Sequence, residues 1–490
     1  MLCRAGLGLL MLVVLLAAAI GLRTSTLPSR QLSPSPVAPV PHDVDAAARR
    51  LGEAVRLQTV SISADAAPAR DAFLGLHALL ARHYPAAHAA MRREAVSELT
   101  LLYTWPGSDP QARPMVLMAH QDVAPVAPGT ESDWTRAPFS GDLHEGFVWG
   151  RGTWDDKGNL IAMMEAIESL AASGFKPRRT VMLVFGHDEE LGGPRGATEV
   201  ARLLQSRGVR AEFVLDEGLV VTEGILAGIP RPAALIGLAE KGSVTLKLEA
   251  TAPPGHSSMP PARTAVGALA RAVTRVDGRP MPASLNPLAR EMLETLAPEM
   301  EGFARVALSN LWLTGPLVLR QLQGGTGTNA MLRTTTAPVV LSAGEKENVL
   351  PGRAHALLNF RILPGDTIDA VQRHILAAVD DPTVEVTRHE EHFEASRVSR
   401  TDAPGYQAIA RTLRELHPDF VVAPGLMLGA TDARHLESVA EHVYRFSPVR
   451  ARPEDLARFH GTNERLSIAN LGELIQFYRR LVINAAGADP

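Results

Sequence analysis

Four patterns of hydrophobic and polar positions follow one another along the chain. First comes an uninterrupted apolar run over residues 5–22, preceded by Arg4 and closed by Arg23. Its length lies between a cleavable signal peptide, residues 1–23, and a membrane-spanning signal anchor. Ala17, Ala18 and Ala19 would suit a signal peptidase, whereas the leucine-rich run favours a retained anchor. Either one exports the body, leaving it membrane-anchored or secreted, outside the cytoplasm. Residues 24–42 are rich in Ser and Pro and read as an extended linker.

The second pattern begins at 43. Helical spacing of Ala46, Ala47, Leu51, Ala54 and Leu57 predicts a helix from about Asp43, and a second helix covers 71–82. Residues 99–105 read as a strand. Continuous apolar runs at 115–119, 180–185 and 213–215 match strands that a parallel sheet buries on both faces. Helical patterns at 157–172 and 195–207 lie between them, so strand and helix alternate. From about 240 to 390 the runs shorten and alternate, at 244–249, 339–342 and 354–360, with helices near 262–276 and 368–379. That order predicts a small α+β sandwich set into the larger unit, with the irregular stretch 278–328 elaborating it. Strand signals return at 420–422 and 442–446, and a helix over 468–482 closes the chain. The expected fold is α/β: a central, mostly parallel sheet from residues 43–239 and 393–490, with a smaller inserted α+β domain over 240–392.

A chain of 490 residues suits two domains. The net charge of -4 gives no reason to expect a nucleic-acid partner. Cys3 is the only cysteine and lies in the first apolar run. That excludes a disulfide framework and a thiolate zinc site, so a bound metal would need His, Asp and Glu.

Those residues cluster where the apolar runs stop. His120-Gln121-Asp122 follows the run at 115–119, Asp188-Glu189-Glu190 follows 180–185, and Asp216-Glu217 follows 213–215. In open α/β sheets the carboxyl ends of the strands line the ligand crevice. Asp155 and Asp156 follow a turn bracketed by Gly150 and Gly152 and open the helix at 157, and residues 459–464 place His460 in a loop before the last helix. Singly, Asp155-Asp156 reads as a helix cap, His120 as a satisfied polar residue, Glu189-Glu190 as a solvated turn and His460 as a cap. Together they offer what two zinc ions bridged by a carboxylate would need. Neighbouring side chains do not easily reach one ion, so one of Glu189 and Glu190 can bind metal while the other faces water.

These stretches, at 118–123, 150–158, 186–190, 214–218 and 459–461, resemble the motifs of the zinc-dependent aminoacylase and carboxypeptidase superfamily, the M20 peptidases. Within it the chain is most similar to the branch of vacuolar carboxypeptidase S and the secreted N-fatty-acyl-amino-acid hydrolases, from about residue 43 onward. The resemblance implies a dizinc exopeptidase-type catalytic domain with an inserted lid domain of the dimerisation type, and two Zn2+ per subunit. It implies that His120 and Asp216 bind one zinc, Glu190 and His460 the other, and Asp155 bridges them, with a cis peptide bond to Asp156. Asp122 would support His120, and Glu189 would be the general base. In the insert, His256 resembles a lid histidine that steadies the oxyanion, supplied in dimeric members by the other subunit. Asn348 and Arg361 resemble the site for a substrate carboxylate, and Thr431 falls near the substrate. Without the resemblance, His256 is an ordinary turn histidine and Arg361 a surface strand residue. Trp154 departs from the pattern, standing where many relatives carry a small residue.

The function implied is hydrolysis of the amide bond next to a free carboxylate, in peptides or N-acyl amino acids, with a homodimer through the lid as the expected protein partner. An N-acyl-amino-acid synthase/hydrolase would use the same residues. An inactive binding ectodomain would be expected to have lost ligands that are present here.

Overall fold

Six consecutive buried residues in each of Met115–His120 and Val181–Gly186 leave no face for water. These two strands pair in parallel, Met115 opposite Val181 and His120 opposite Gly186, at the heart of an eight-stranded sheet. In this computed structural model, which describes residues 2–63 and 65–487, the strand order is Arg92–Val96, Thr100–Trp105, Val181–Gly186, Met115–His120, Phe213–Thr222, Val443–Ala451, Ala233–Glu240, Val421–Met427. The sheet is mostly parallel. Its antiparallel pairings lie at the two N-terminal strands and where Ala233–Glu240 meets Val443–Ala451 and Phe213–Thr222.

Helices cover both faces. Lys157–Ala172 is buried almost all round because it is wedged between the sheet and the helices Val44–Arg56, Pro85–Ala90 and Ile468–Ala486. Ala197–Ser206 covers the other face with Val200, Ala201 and Leu204.

A second sheet, ordered Thr335–Ala343, Arg353–Ile362, Gly242–Thr251, Val384–Phe393, is antiparallel throughout. Strict alternation along Gly242–Thr251 turns Val244, Leu246, Leu248 and Ala250 inward, onto the helices Ala265–Asp277 and Ile368–Val379. Each of these helices begins with a threonine cap, Thr264 to the Gly267 N–H and Thr367 to the Ala370 N–H.

Two segments depart from the sequence reading. Residues 278–328 are largely helical: Pro287–Leu296, Gly302–Ser309, Leu311–Leu322 and Thr326–Leu332. They build onto the large sheet, not the small one, because Met292, Leu293 and Leu296 pack with Val421 and Ala423 of the edge strand. Residues 27–42 are extended as expected, yet they are a strap fastened to the body. The Gln31 amide bonds both main-chain groups of Val422 (3.0 and 2.7 Å), so the strap satisfies part of the free sheet edge. Further along, Arg414 donates to the Leu32 carbonyl and Gln476 brackets Val40.

Candidate metal centre

Each strand end delivers one part of the centre. His120 closes Met115–His120 and is 1% exposed. Its Nδ1 donates to the Asp122 carbonyl at 2.9 Å, which turns Nε2 toward Asp155 Oδ1 at 3.0 Å. His460 Nε2 lies 2.8 Å from the other oxygen of the same carboxylate and 3.4 Å from Glu190 Oε2. Asp155 therefore sits between two imidazoles, one 35 and the other 305 residues away from it in the chain. Ligand atoms of His120, Asp155 and Glu190 lie within 4.8 Å of one another, as do those of His120, Asp156 and Glu217.

Asp122 holds this arrangement in two ways. It orients His120 through its carbonyl, and its carboxylate accepts the N–H groups of Glu189 (3.2 Å) and Glu190 (3.1 Å) and the Ser61 hydroxyl (2.7 Å). The acidic turn Glu189–Leu191 is thus pinned to the histidine strand. The Asp155–Asp156 peptide bond is cis, and Asp156 is held by the His120 N–H and by Asn159. His460 has φ 55°, in the left-handed region that costs an L residue about 1 kcal/mol. It is also the solvent-exposed member of the set, so the centre opens on that side.

A buried ion pair ties the two loops together. Glu464 Oε2 meets Arg151 Nη1 at 2.6 Å, and its Oε1 accepts the N–H groups of Gly152 (2.9 Å), Trp154 (2.9 Å) and Asp155 (3.2 Å). Arg151 in turn donates to the carbonyls of His460 and Gly461. Burial pushes the Glu464 carboxyl up to about 6 against the pull of Arg151. Trp154 joins the same support: it meets Phe459 edge-on at 6.0 Å, and Phe459 stacks on the His460 ring at 4.7 Å.

The electrostatics favour a cation. Hydrogen bonds from His460 to Asp155 and Glu190 drive its imidazole up to about 10. Burial disfavours charge on His120, yet Asp122 and Asp155 hold it well above the usual histidine range. Burial, then repulsion from Asp432, Asp155 and Glu190 against the opposing pull of His120, raises the Glu189 carboxyl well above its usual range. Glu190 Oε1 is buried without a hydrogen-bond partner. A lone buried carboxylate oxygen beside imidazole nitrogens that face carboxylates is a donor set that divalent zinc fits.

Two of the expected residues are elsewhere. The Asp216 oxygens accept the Ala433 N–H (2.8 Å) and the Glu217 N–H (2.9 Å), and Asp216 is in neither of the two groups of ligand atoms gathered at His120. Glu217, beside the irregularity that interrupts Phe213–Thr222 after Asp216, brings Oε1 to 3.6 Å from His120 Nε2. Thr431 is fully buried, and its hydroxyl donates to Glu240 Oε2 at 2.9 Å beside the Glu240–Arg445 ion pair. It has no surface to offer a substrate and instead secures the loop that carries Arg434.

The remaining three lie on the small sheet and its hairpin. His256 is exposed on the ribbon that pairs Gly255–His256 with Val349–Leu350, its Nδ1 bonded to Ser258 within the turn. Asn348 is its neighbour, accepting the Ser257 N–H through its carbonyl. Arg361 keeps an exposed side chain on Arg353–Ile362, while the protein packed around its guanidinium, and then Arg434, hold that group below its usual value. Arg434 donates to Gly192, next to the acidic turn, and Lys241 lies near Arg361. Positive charge is therefore concentrated where the small sheet meets the acidic turn.

Comparison with known proteins shows the family and the fold. Residues 116–484 match the family described as peptidase family M20/M25/M40. A probable carboxypeptidase S-like protein of Dictyostelium discoideum is 36% identical over 89% of this chain and 84% of its own length. An N-fatty-acyl-amino acid synthase/hydrolase of Xenopus tropicalis is 41% identical over 81% and 77%. The fold matches that of an M20 family metallo-carboxypeptidase from Sulfolobus solfataricus, with a TM-score of 0.64 at 17% identity over 89% of this chain and 98% of that one. Relatives of this identity and extent, together with a family match over most of the chain, place it in the M20/M25/M40 peptidase family, whose members are metal-dependent hydrolases.

Proposed function

We propose that the chain is a dizinc amidohydrolase that cleaves the amide bond next to a free carboxylate, in peptides or N-acyl amino acids. The observation that carries this reading is Asp155, each of whose oxygens faces a different imidazole, His120 at 3.0 Å and His460 at 2.8 Å. His120 and Glu217 would hold one ion, Glu190 and His460 the other, and Asp155 would bridge them. Bound there, the ions supply Lewis acidity to a substrate carbonyl and to water.

The protein's own part is proton handling and positioning. Glu189, kept apart from the ligands by the turn that aims Glu190 at His460, takes the proton of the attacking water and passes it to the leaving amine. Arg361, with Arg434 and Lys241 beside it, attracts and orients the substrate carboxylate. His256 would steady the oxyanion after residues 240–392 close as a lid. Its exposure fits a partner-completed site. The neighbouring edge strand Thr335–Ala343 leaves Val339 and Leu341 exposed, which a homodimer through the lid would cover. The N-terminal helix fits a retained signal anchor that keeps the body outside the cytoplasm.

Similarity to N-fatty-acyl-amino acid synthase/hydrolases favours N-acyl amino acids within this class, in either direction of the reaction. Glu189→Gln tests the mechanism. Turnover should fall at least about a thousandfold with both metals retained, since general base chemistry and water activation are lost together. Loss of metal from that variant would show that Glu189 and Glu190 exchange roles.

A further inference from the structure

The helix Leu2–Thr26 stands clear of the body over most of its length, and its apolar window over 6–26 has a mean hydropathy of 2.3 with none of it buried. Its last turns meet the protein at the helix Gly302–Ser309. Arg23 Nε donates to the Ser309 carbonyl at 2.7 Å, and Asn310 Nδ2 donates to Thr24 Oγ1 at 3.0 Å. Leu27 then enters the core made by Leu308, Leu311 and Val318, and the strap beyond it is fixed to the body. The point where the chain leaves the body is therefore rigid.

Length sets where that point lies. Twenty-one helical residues rise about 31 Å, the hydrocarbon thickness of a bilayer. Arg23 and Thr24 then stand at the outer interface, and the segment bonded to them stands at the same depth. That segment exposes large apolar side chains: Phe303 (84% exposed), Trp312 (57%), Leu313 (41%) and Leu317 (71%). On the helix Leu311–Leu322, positions 312, 313, 316 and 317 form one outward face that ends at exposed Arg320, while Leu311, Gly315 and Val318 turn inward. Four large apolar groups exposed on two helices in contact, a tryptophan among them, with arginines at 23, 305 and 320 on the same connected segments, suit a lipid interface.

We propose that the helices Gly302–Ser309 and Leu311–Leu322 are a bilayer-docking surface, with Phe303, Trp312, Leu313 and Leu317 seated in the outer lipid interface beside the N-terminal helix. This rests on the reading of that helix as a retained anchor. It makes the body a fixed rider on the membrane, held at two points.

Tryptophan emission tests it, because Trp105, Trp134, Trp149 and Trp154 are buried and Trp312 is exposed. The full chain is reconstituted in phosphatidylcholine vesicles with brominated or ordinary acyl chains and recovered by flotation. Brominated lipid should quench wild type by the share of emission that Trp312→Phe removes, and should leave Trp312→Phe unchanged. Phe303→Ser/Leu313→Ser/Leu317→Ser should still float through its anchor but lose the quenching. Equal quenching in wild type and Trp312→Phe overturns the docking surface and leaves the anchor standing. A blue-shifted Trp312 that brominated lipid does not quench also overturns it, and shows that a second copy or another protein covers the face. If purified chain lacks the first 22 residues, the anchor reading fails; docking then stands if that shorter chain floats with its Trp312 quenched, and falls if it does not.

Discussion

Glu464→Gln removes one charge from the pair that joins the two loops of the metal centre. In the native site the carboxylate accepts four hydrogen bonds, from Arg151 and from the N–H groups of Gly152, Trp154 and Asp155, and has no exposed surface. Gln can keep its carbonyl oxygen on the three main-chain donors. Its amide then points N–H groups at Arg151 Nη1, 2.6 Å away in the wild type, and the guanidinium, 1% exposed, is left without a counter-charge. Breaking a buried pair in this way costs about 3–5 kcal/mol. The assay is urea unfolding of the metal-free chain, with Arg151→Met and the double variant completing a cycle. Arg151→Met/Glu464→Gln should recover much of the loss, since no lone charge remains. The same substitution loosens the turn that places Asp155, so kcat/KM should fall about 100-fold, the cost of a misplacement near 1 Å. A loss below about 1 kcal/mol, or a double variant no better than the sum of the singles, would mean that the pair does not hold the two loops together.

Arg361→Ala should raise KM at least about tenfold for substrates with a free carboxylate and change it little for their amides, as measured by initial rates on matched pairs; equal effects would remove the carboxylate role. Glu415 gives a pH signature away from the centre. Although burial opposes it, hydrogen bonds from Arg480, Asn484 and Arg411 bring its carboxyl down from 4.5 to about 2. A depressed carboxyl contributes stability above its unfolded value and loses it as pH falls. Glu415→Gln should therefore lower Tm at pH 7, by a free energy of at most about 3 kcal/mol, and the gap should close between pH 4.5 and 2 in calorimetric scans.

What the sequence showed and what it hid follow from the same physics. Residues 115–119 and 180–185 stood out because burial on both faces leaves a continuous apolar run. Arg92–Val96 did not, since an edge strand can be charged, and Ala233–Glu240 is masked by Gly237 and its alanines. The carboxylates at 216 and 217 were both visible as a pair, but only strand register says which one faces His120. Thr431 carries no local mark of burial, and the work of Glu464 depends on a partner more than 300 residues away. Ser and Pro composition is the same in a loose tether and in a fastened strap. The bonds of Gln31 to Val422, Arg414 to Leu32 and Gln476 to Val40 distinguish them.

A bridging Asp155 would require two ions, held by His120, Glu217, Glu190 and His460. Metal stoichiometry of the purified full chain by elemental mass spectrometry addresses it most directly. Two zinc equivalents per chain in the wild type, falling to one in Glu217→Gln and to none in Asp155→Ala, are expected. A single equivalent in the wild type, or two retained in Asp155→Ala, would contradict it.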